Sequence, residues 1–397
     1  MNIVTSEEVG LSSTRLEHLR TAAQGYVDRG ELAGLITLVA RHGQVAHLEC
    51  HGLMDIEADK PMQPNTIFRI YSMTKPIACF ALMMLVEEGL IALNEPVAKF
   101  IPEFKELKVF VRTTETGVEL ADVEREMTIW HLLTHTSGLS YDAVISTPVE
   151  EMYREAELFD ELRVLQVSLQ DMIRILIELP LGFQPGSEFR YSVAHDVIGY
   201  LVSLVSDSPF DTFLEERIFS PLGMVDTGFY VPREKLDRFA AMYSAPGDDG
   251  IRLLDAPATS PFSRPDRVPS GGVGLVSTAS DYFRFAQMLL NGGELEGVRL
   301  LSRETVLMMT TNQLPDEQVP IFSWSGMGYG LGLGVHVGPD RTRDLGSRGT
   351  FLWLGHAGTN FWVDPNEALI GLIMPQALHY HDYLGPLREL TNQAIVD

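Results

Sequence analysis

Residues 71–89 read YSMTKPIACFALMMLVEEG, a Ser-x-x-Lys set where a polar loop runs into a long apolar stretch. The run ACFALMMLVEEGLIAL (78–93) predicts a helix, and Pro96 and Pro102 in NEPVAKFIPEF end it. On a helix, positions i and i+3 share a face, so the Lys75 ammonium can reach the Ser72 hydroxyl. The start of a helix adds unpaired N–H groups and the positive end of its dipole, which favour an alkoxide or oxyanion there. The ordinary alternative is a serine that merely caps the helix. A serine nucleophile also needs a base and an oxyanion site, and these must come from elsewhere in the chain. G-x-S-x-G is absent, which removes the strand-to-helix elbow of the α/β-hydrolases.

Outward from this stretch, residues 12–30 have the period of an amphipathic helix, with Leu16, Leu19, Ala23 and Tyr26 on one side behind Ser12 and Ser13. LAGLITLVARHGQVAHLECHGLMD (32–55) alternates around His42-Gly43, the pattern of two antiparallel strands. From about 125 to 265 the apolar period is mostly helical, in TIWHLLTHTSG, EEMYREAELFDELRVLQVSLQDMIRILIELPL and AHDVIGYLVSLVSDSPFDTFLEERIF. DYFRFAQMLLNGG adds a further helix. After it GMGYGLGLGVHVG, TFLWLGHAGTNFWVDP and ALIGLIMPQ read as short strands with glycine-rich connections, before a closing helix near LGPLRELTNQAIV. Strands at both ends predict a discontinuous α/β domain from 1–70 and 270–397, with a mainly helical domain over 71–269 carrying Ser72 and Tyr191 at a cleft.

The 397 residues are 45% apolar and 21% charged, the composition of a folded protein. Thirty Lys+Arg against 54 Asp+Glu leave a net charge of −24. A surface this acidic, without a basic cluster, excludes nucleic acid and anionic membranes as partners. No window is long and apolar enough for a membrane span, and the first thirty residues lack a signal-peptide pattern, so a cytoplasmic protein is expected. Cys50 and Cys79 are then expected as reduced, buried thiols.

Two further places complete the chemistry. Tyr191, in PGSEFRYSVAHDVIGY, sits in a polar loop just before a helix, where its phenol could take the Ser72 proton or could be an ordinary half-buried tyrosine. Trp353-Leu354-Gly355-His356 lies on a glycine-bearing strand whose edge could aim a backbone N–H at Ser72.

SMTK, IWHLLTHTSGL, FRYSVAHDVIGYLV, PSGGVGLVSTASDYFRFAQMLLNGG and WLGHAGTNFWVDP, in this order and at these separations, resemble the serine β-lactamase-like superfamily over about residues 10–395. That superfamily holds class C β-lactamases, D-alanyl-D-alanine carboxypeptidases and family VIII carboxylesterases. The resemblance implies an α+β fold, a central antiparallel sheet flanked by helices, with the active site between the sheet and a helical domain. It implies that Ser72 accepts the acyl group, Lys75 assists its deprotonation and Tyr191 acts as general base, while the amides of Ser72 and His356 form the oxyanion hole. No cofactor or metal is implied.

The departures from the superfamily pattern narrow the substrate. Trp353-Leu354-Gly355 stands where the β-lactamases carry K-T-G, and an indole cannot attract a carboxylate. Val193 replaces the asparagine of Y-x-N. Both changes favour small neutral esters, as in the family VIII esterases, with Met73, Val193, Trp353, Leu354 and Gly355 expected around the substrate. A second register would put His356-Ala357-Gly358 on K-T-G and move the oxyanion donor to Thr359. Activity is predicted to rise toward mildly alkaline pH, where Tyr191 and Lys75 give up a shared proton. His131 and His135 have the i, i+4 spacing of zinc ligands but no glutamate after His131, so hydrogen bonding is their expected role. His379 and His381 read as solvated or pocket-rim side chains. β-Lactam hydrolysis and acyl transfer to an alcohol are the alternatives, and a binding relative without turnover is the rival from another class.

Overall fold

Ser12 accepts the Arg15 amide and caps helix α1 (Ser13–Asp28), which buries Leu16, Leu19 and Ala23 as their spacing predicts. A computed structural model describes residues 3–115, 117–141, 147–339 and 341–396. Strands β1 (Gly34–Arg41) and β2 (Gln44–Asp55) form the expected hairpin. His42 and Gly43 take φ of 53° and 78° at its tip, the left-handed pair that suits the strand twist.

The main sheet has eight strands. After β3 (Lys60–Pro61) its remaining members come late in the chain: β4 (Met327–Tyr329), β5 (Gly334–His336), β6 (Phe351–Leu354), β7 (Asn360–Asp364) and β8 (Leu369–Pro375). The spatial order is β4-β5-β6-β7-β8-β1-β2-β3, antiparallel at every pair. β1 pairs with β8 from Leu35 opposite Pro375 to Arg41 opposite Leu369, so segments from both ends of the sequence share one sheet. All residues of β1 and β8 are buried, the mark of strands covered on both faces.

Register shows what covers each face. Trp353, Phe361 and Leu372 are cross-strand neighbours, and Phe361 meets the ring of Tyr282 from the helix Ala279–Leu290 at 4.9 Å. One residue out of phase, Leu35 lies between His51 and Pro375, and Gln24 of α1 hydrogen-bonds His51, so α1 covers the opposite face. The helix Leu384–Gln393 packs beside α1.

Helix α2 (Thr74–Glu87) is buried from Thr74 to Leu85, and α3 (Ala194–Ser206) packs against it. α2 ends at Glu87, short of the expected Leu93, because Gly89 turns the chain at φ 74°. The long helical pattern of 150–181 is likewise broken. Helices form only at Pro148–Glu155 and Leu169–Leu176, and Glu157 and Arg163 between them have positive φ. Lys108–Thr114 pairs with Gly117–Asp122 in an unforeseen hairpin, ahead of the 125–265 stretch and inside the domain expected to be mainly helical. Cys79 is buried, Cys50 is half-buried, and both are free thiols. Among the described residues no helix is long and apolar enough to cross a membrane.

Candidate active site

The chain approaches α2 through a single 3-10 turn, Tyr71–Met73, and its first residue is strained. Tyr71 is fully buried at φ 43°, a conformation a bulky side chain adopts only when its surroundings impose it. Its ring is fixed edge-on between Phe262 at 5.6 Å and the imidazole of His356 at 5.8 Å. The following residue, Ser72, is half-buried at the mouth of α2.

Lys75 lies one turn on, with no exposed surface. Its Nζ donates to Ser72 Oγ at 3.2 Å and to the Gly272 carbonyl at 2.8 Å, and sits 4.5 Å from the centroid of the Tyr191 ring. The i, i+3 pairing of the sequence is thus formed, and a carbonyl from a distant loop fixes the amine beside the hydroxyl. Tyr141 faces the same amine from 5.9 Å.

Tyr191 is held by the segment around HTSG. The His135 ring lies 4.7 Å from it, and His135 Nδ1 pairs with Ser192 Oγ at 3.0 Å. The Arg190 amide donates to the His135 carbonyl at 2.8 Å and the Val193 amide to that of Ser140 at 3.1 Å. Trp353 and Phe322 close the other sides, at 5.7 and 5.6 Å. The His195 ring meets that of His135 at 4.3 Å, tilted by 41°. Both lie well below the ordinary histidine range, chiefly through burial and further through the Lys75 charge, and are neutral at pH 7.

The fourth side is the turn between β6 and β7. The Gly355 amide donates to Thr359 O at 2.7 Å and the Gly358 amide to Gly355 O at 2.9 Å, a tight turn that lies against Ile70. A Cβ on Gly355 would stand 2.4 Å from the Ile70 carbonyl and 2.3 Å from Thr359 Oγ1, so only glycine lets the strand end come this close to the Ser72 loop. Among the described residues the amides of Ser72 and His356 have no protein acceptor. The His356 imidazole is pushed down to about 3 by burial and by His379, whose ring meets it at 4.2 Å.

The structure therefore gathers Ser72, Lys75, Tyr191 and Trp353. Met73 and Val193, at the N-termini of α2 and α3 beside Ser72 and Tyr191 in the chain, have buried side chains that belong to the core. Trp353 is 2% exposed. Leu354, on the opposite strand face, lines a cavity of about 640 Å³ together with Trp324, Met327, Leu345, His381 and Arg388. His131 and His135 diverge, His131 Nδ1 accepting the Thr128 amide and closing a capping box. His379 is exposed and His381 lines the cavity. Sequence reasoning gave no role to Gly272, Tyr141 or Asp196. PSGGVG and the Asp of YSVAHD were visible as motifs, but their contacts bridge separate segments.

The chain matches the Beta-lactamase family model over residues 19–394. It is 38% identical over 359 residues to Protein Rv1367c of Mycobacterium tuberculosis (strain ATCC 25618 / H37Rv), covering 88% of this chain and 87% of that protein. It is 31% identical over 381 residues to Esterase EstB of Burkholderia gladioli, covering 92% and 91%. Among solved structures it resembles EstCE1, a hydrolase with promiscuous acyltransferase activity, with a TM-score of 0.77, 26% identity and 97% and 99% coverage. A helix-mouth serine bonded to a buried lysine, on a fold shared along nearly the whole chain, places this protein in the Beta-lactamase family.

Proposed function

We propose that the protein is a serine carboxylesterase that cleaves small, short-chain esters through an acyl-enzyme on Ser72. The observation that carries this reading is the Lys75 amine, buried and fixed 3.2 Å from Ser72 Oγ with the Tyr191 ring beside it. Ser72 Oγ forms a bond to the ester carbonyl carbon as its proton passes to the Lys75–Tyr191 pair. The carbonyl oxygen becomes an oxyanion facing the amides of Ser72 and His356. The carbon–alkoxide bond then breaks, the leaving alcohol takes the stored proton, and water repeats the sequence on the acyl-enzyme. Both oxygen and proton balances close without a cofactor.

Trp353 supports a neutral substrate, since its indole stands beside Tyr191 and brings no cation to the strand. The names of Esterase EstB and EstCE1 point to the same chemistry. The test is initial rates of wild type and Ser72→Ala on p-nitrophenyl esters from short to long chains, with a chromogenic cephalosporin beside them. Fast short-chain cleavage, lost by at least about 10³-fold in Ser72→Ala, is expected. Faster cephalosporin turnover would make the protein a β-lactamase, and faster product release on adding an alcohol acceptor would favour acyl transfer.

A further inference from the structure

The glycine pair of PSGGVG has no place in the steps above, yet it touches the catalytic amine. Gly272 donates its amide to Asp196 Oδ1 at 3.1 Å and offers its carbonyl to Lys75 at 2.8 Å, so one residue links a carboxylate to an amine. Ser270 Oγ donates to the same Oδ1 at 2.5 Å. Both glycines are sterically required. A Cβ on Gly271 would stand 2.2 Å from the His195 carbonyl, and one on Gly272 would stand 2.5 Å from Asp196 Oδ2. The loop is thus clamped to the first turn of α3, five positions after Tyr191, and Asp196 is the clamp.

Asp196 has no exposed surface, and its Oδ2 is buried without a donor. Such a group is costly, and natural proteins keep it where it has work beyond packing. Burial raises its carboxyl, while Ser270, the Lys75 charge and Gly272 pull it back down. Among the described residues the other groups facing Lys75 are the rings of Tyr191 and Tyr141, the imidazoles of His135 and His195, which burial holds neutral at pH 7, and the Cys79 thiol, which burial raises well above its usual range. Asp196 is the one carboxylate in this set.

Resting on the carboxylesterase reading, we propose that Asp196 is a positioning residue that holds the Ser270–Gly272 loop on Lys75 and supplies the negative charge that governs when the Lys75–Tyr191 pair releases its proton. A purely structural Asp196 would fix the loop and leave the pH response alone. The charge assignment makes the two effects separable.

The test is the pH dependence of Ser72 labelling by a fluorophosphonate, which reads nucleophile activation without needing the natural substrate. Asp196→Asn keeps the shape and an acceptor oxygen but removes the charge. Its acid limb is expected to move about one pH unit downward, with a weaker base and a plateau about tenfold lower. KM for a p-nitrophenyl ester should stay within about twofold. Ser270→Thr keeps the hydroxyl that bonds the carboxylate, and with it the charge, while crowding the loop, and should retain the wild-type midpoint with a plateau within about threefold. A folded Asp196→Asn whose midpoint is unmoved overturns the proposal. If Asp196→Asn does not fold, a displaced midpoint in Ser270→Thr overturns it, because the loop and not the charge would then set the response, and an unmoved one supports it. Wild-type Ser72 that resists labelling at every pH defeats the esterase reading itself. Labelling that proceeds with an unmoved Asp196→Asn midpoint defeats this inference alone.

Discussion

Gly355 shows how a missing side chain can be a functional requirement. Its neighbours in a substituted protein would be the Ile70 carbonyl, which is backbone, and Thr359 Oγ1, itself bonded to that carbonyl at 3.4 Å. Neither can yield without moving the turn. Gly355→Ala is expected to push the strand end away from Ser72 and to lower kcat/KM by about 10²-fold, the typical effect of losing one oxyanion donor. Overpacking should also lower stability by about 1–3 kcal/mol in urea unfolding. Full activity in Gly355→Ala would separate the β6–β7 turn from catalysis. At this scale the sequence was most readable: Ser72 and Lys75 are three positions apart, and local helical geometry alone brings them together. Asp196 and Gly272 were not readable, because nothing in a linear pattern says which carboxylate meets which loop.

The elements that carry these residues are held from below by Arg69. Its guanidinium is fully buried and donates to Asp255 Oδ2 through Nε at 2.9 Å and Nη2 at 2.5 Å, to the Ala240 carbonyl at 2.7 Å and to Ser260 Oγ at 3.1 Å. Nη1 also reaches Gln376 Oε1 at 3.2 Å, just past the end of β8, so one side chain joins three segments directly beneath Ile70–Ser72. Removing one partner of such a pair leaves a buried charge uncompensated. Asp255→Ala is expected to cost about 3–5 kcal/mol in urea unfolding, with activity lost in proportion to the fraction unfolded. A cost below about 1 kcal/mol would show that Arg69 finds other acceptors. Element types were legible where caps and turns are local, as at Ser12 and at His42-Gly43. They failed in the 150–181 stretch, where apolar residues keep a helical period but tertiary packing imposes positive φ at Glu157 and Arg163. The hairpin of Lys108–Thr114 and Gly117–Asp122 was hidden for a different reason: both of its faces are largely solvent-exposed, so it lacks the alternation that marks a half-buried strand.

Across the whole molecule, buried histidines set the response to acid. His47 is lowered to about 4 and His356 to about 3, in each case mainly by burial, and His135 and His195 lie well below the ordinary range. Between pH 6.5 and the folded-state values the unfolded chain binds protons that the native protein refuses, so stability falls as pH falls. Asp196 and Asp281, raised by burial, act in the opposite sense, but they are two groups against these four imidazoles and His131, lowered to about 4. Urea unfolding is expected to show a loss on the order of 5 kcal/mol from pH 7 to pH 4. A midpoint independent of pH across that range would mean that these imidazoles are already protonated in the native state.

The seam between β1 and β8 has a consequence for how the protein is made. On the ribosome β1 and β2 emerge early and can close their hairpin at once, yet the other edge of β1 has no partner until residues 369–375 have been synthesised. Until then a strand apolar but for Thr37 and Arg41 presents an unpaired row of amides and carbonyls, the kind of template on which nascent chains stick to one another. The sheet that carries the turn beside Ser72 is therefore completed last, and the yield of folded protein is expected to fall when that waiting edge is left unshielded during translation.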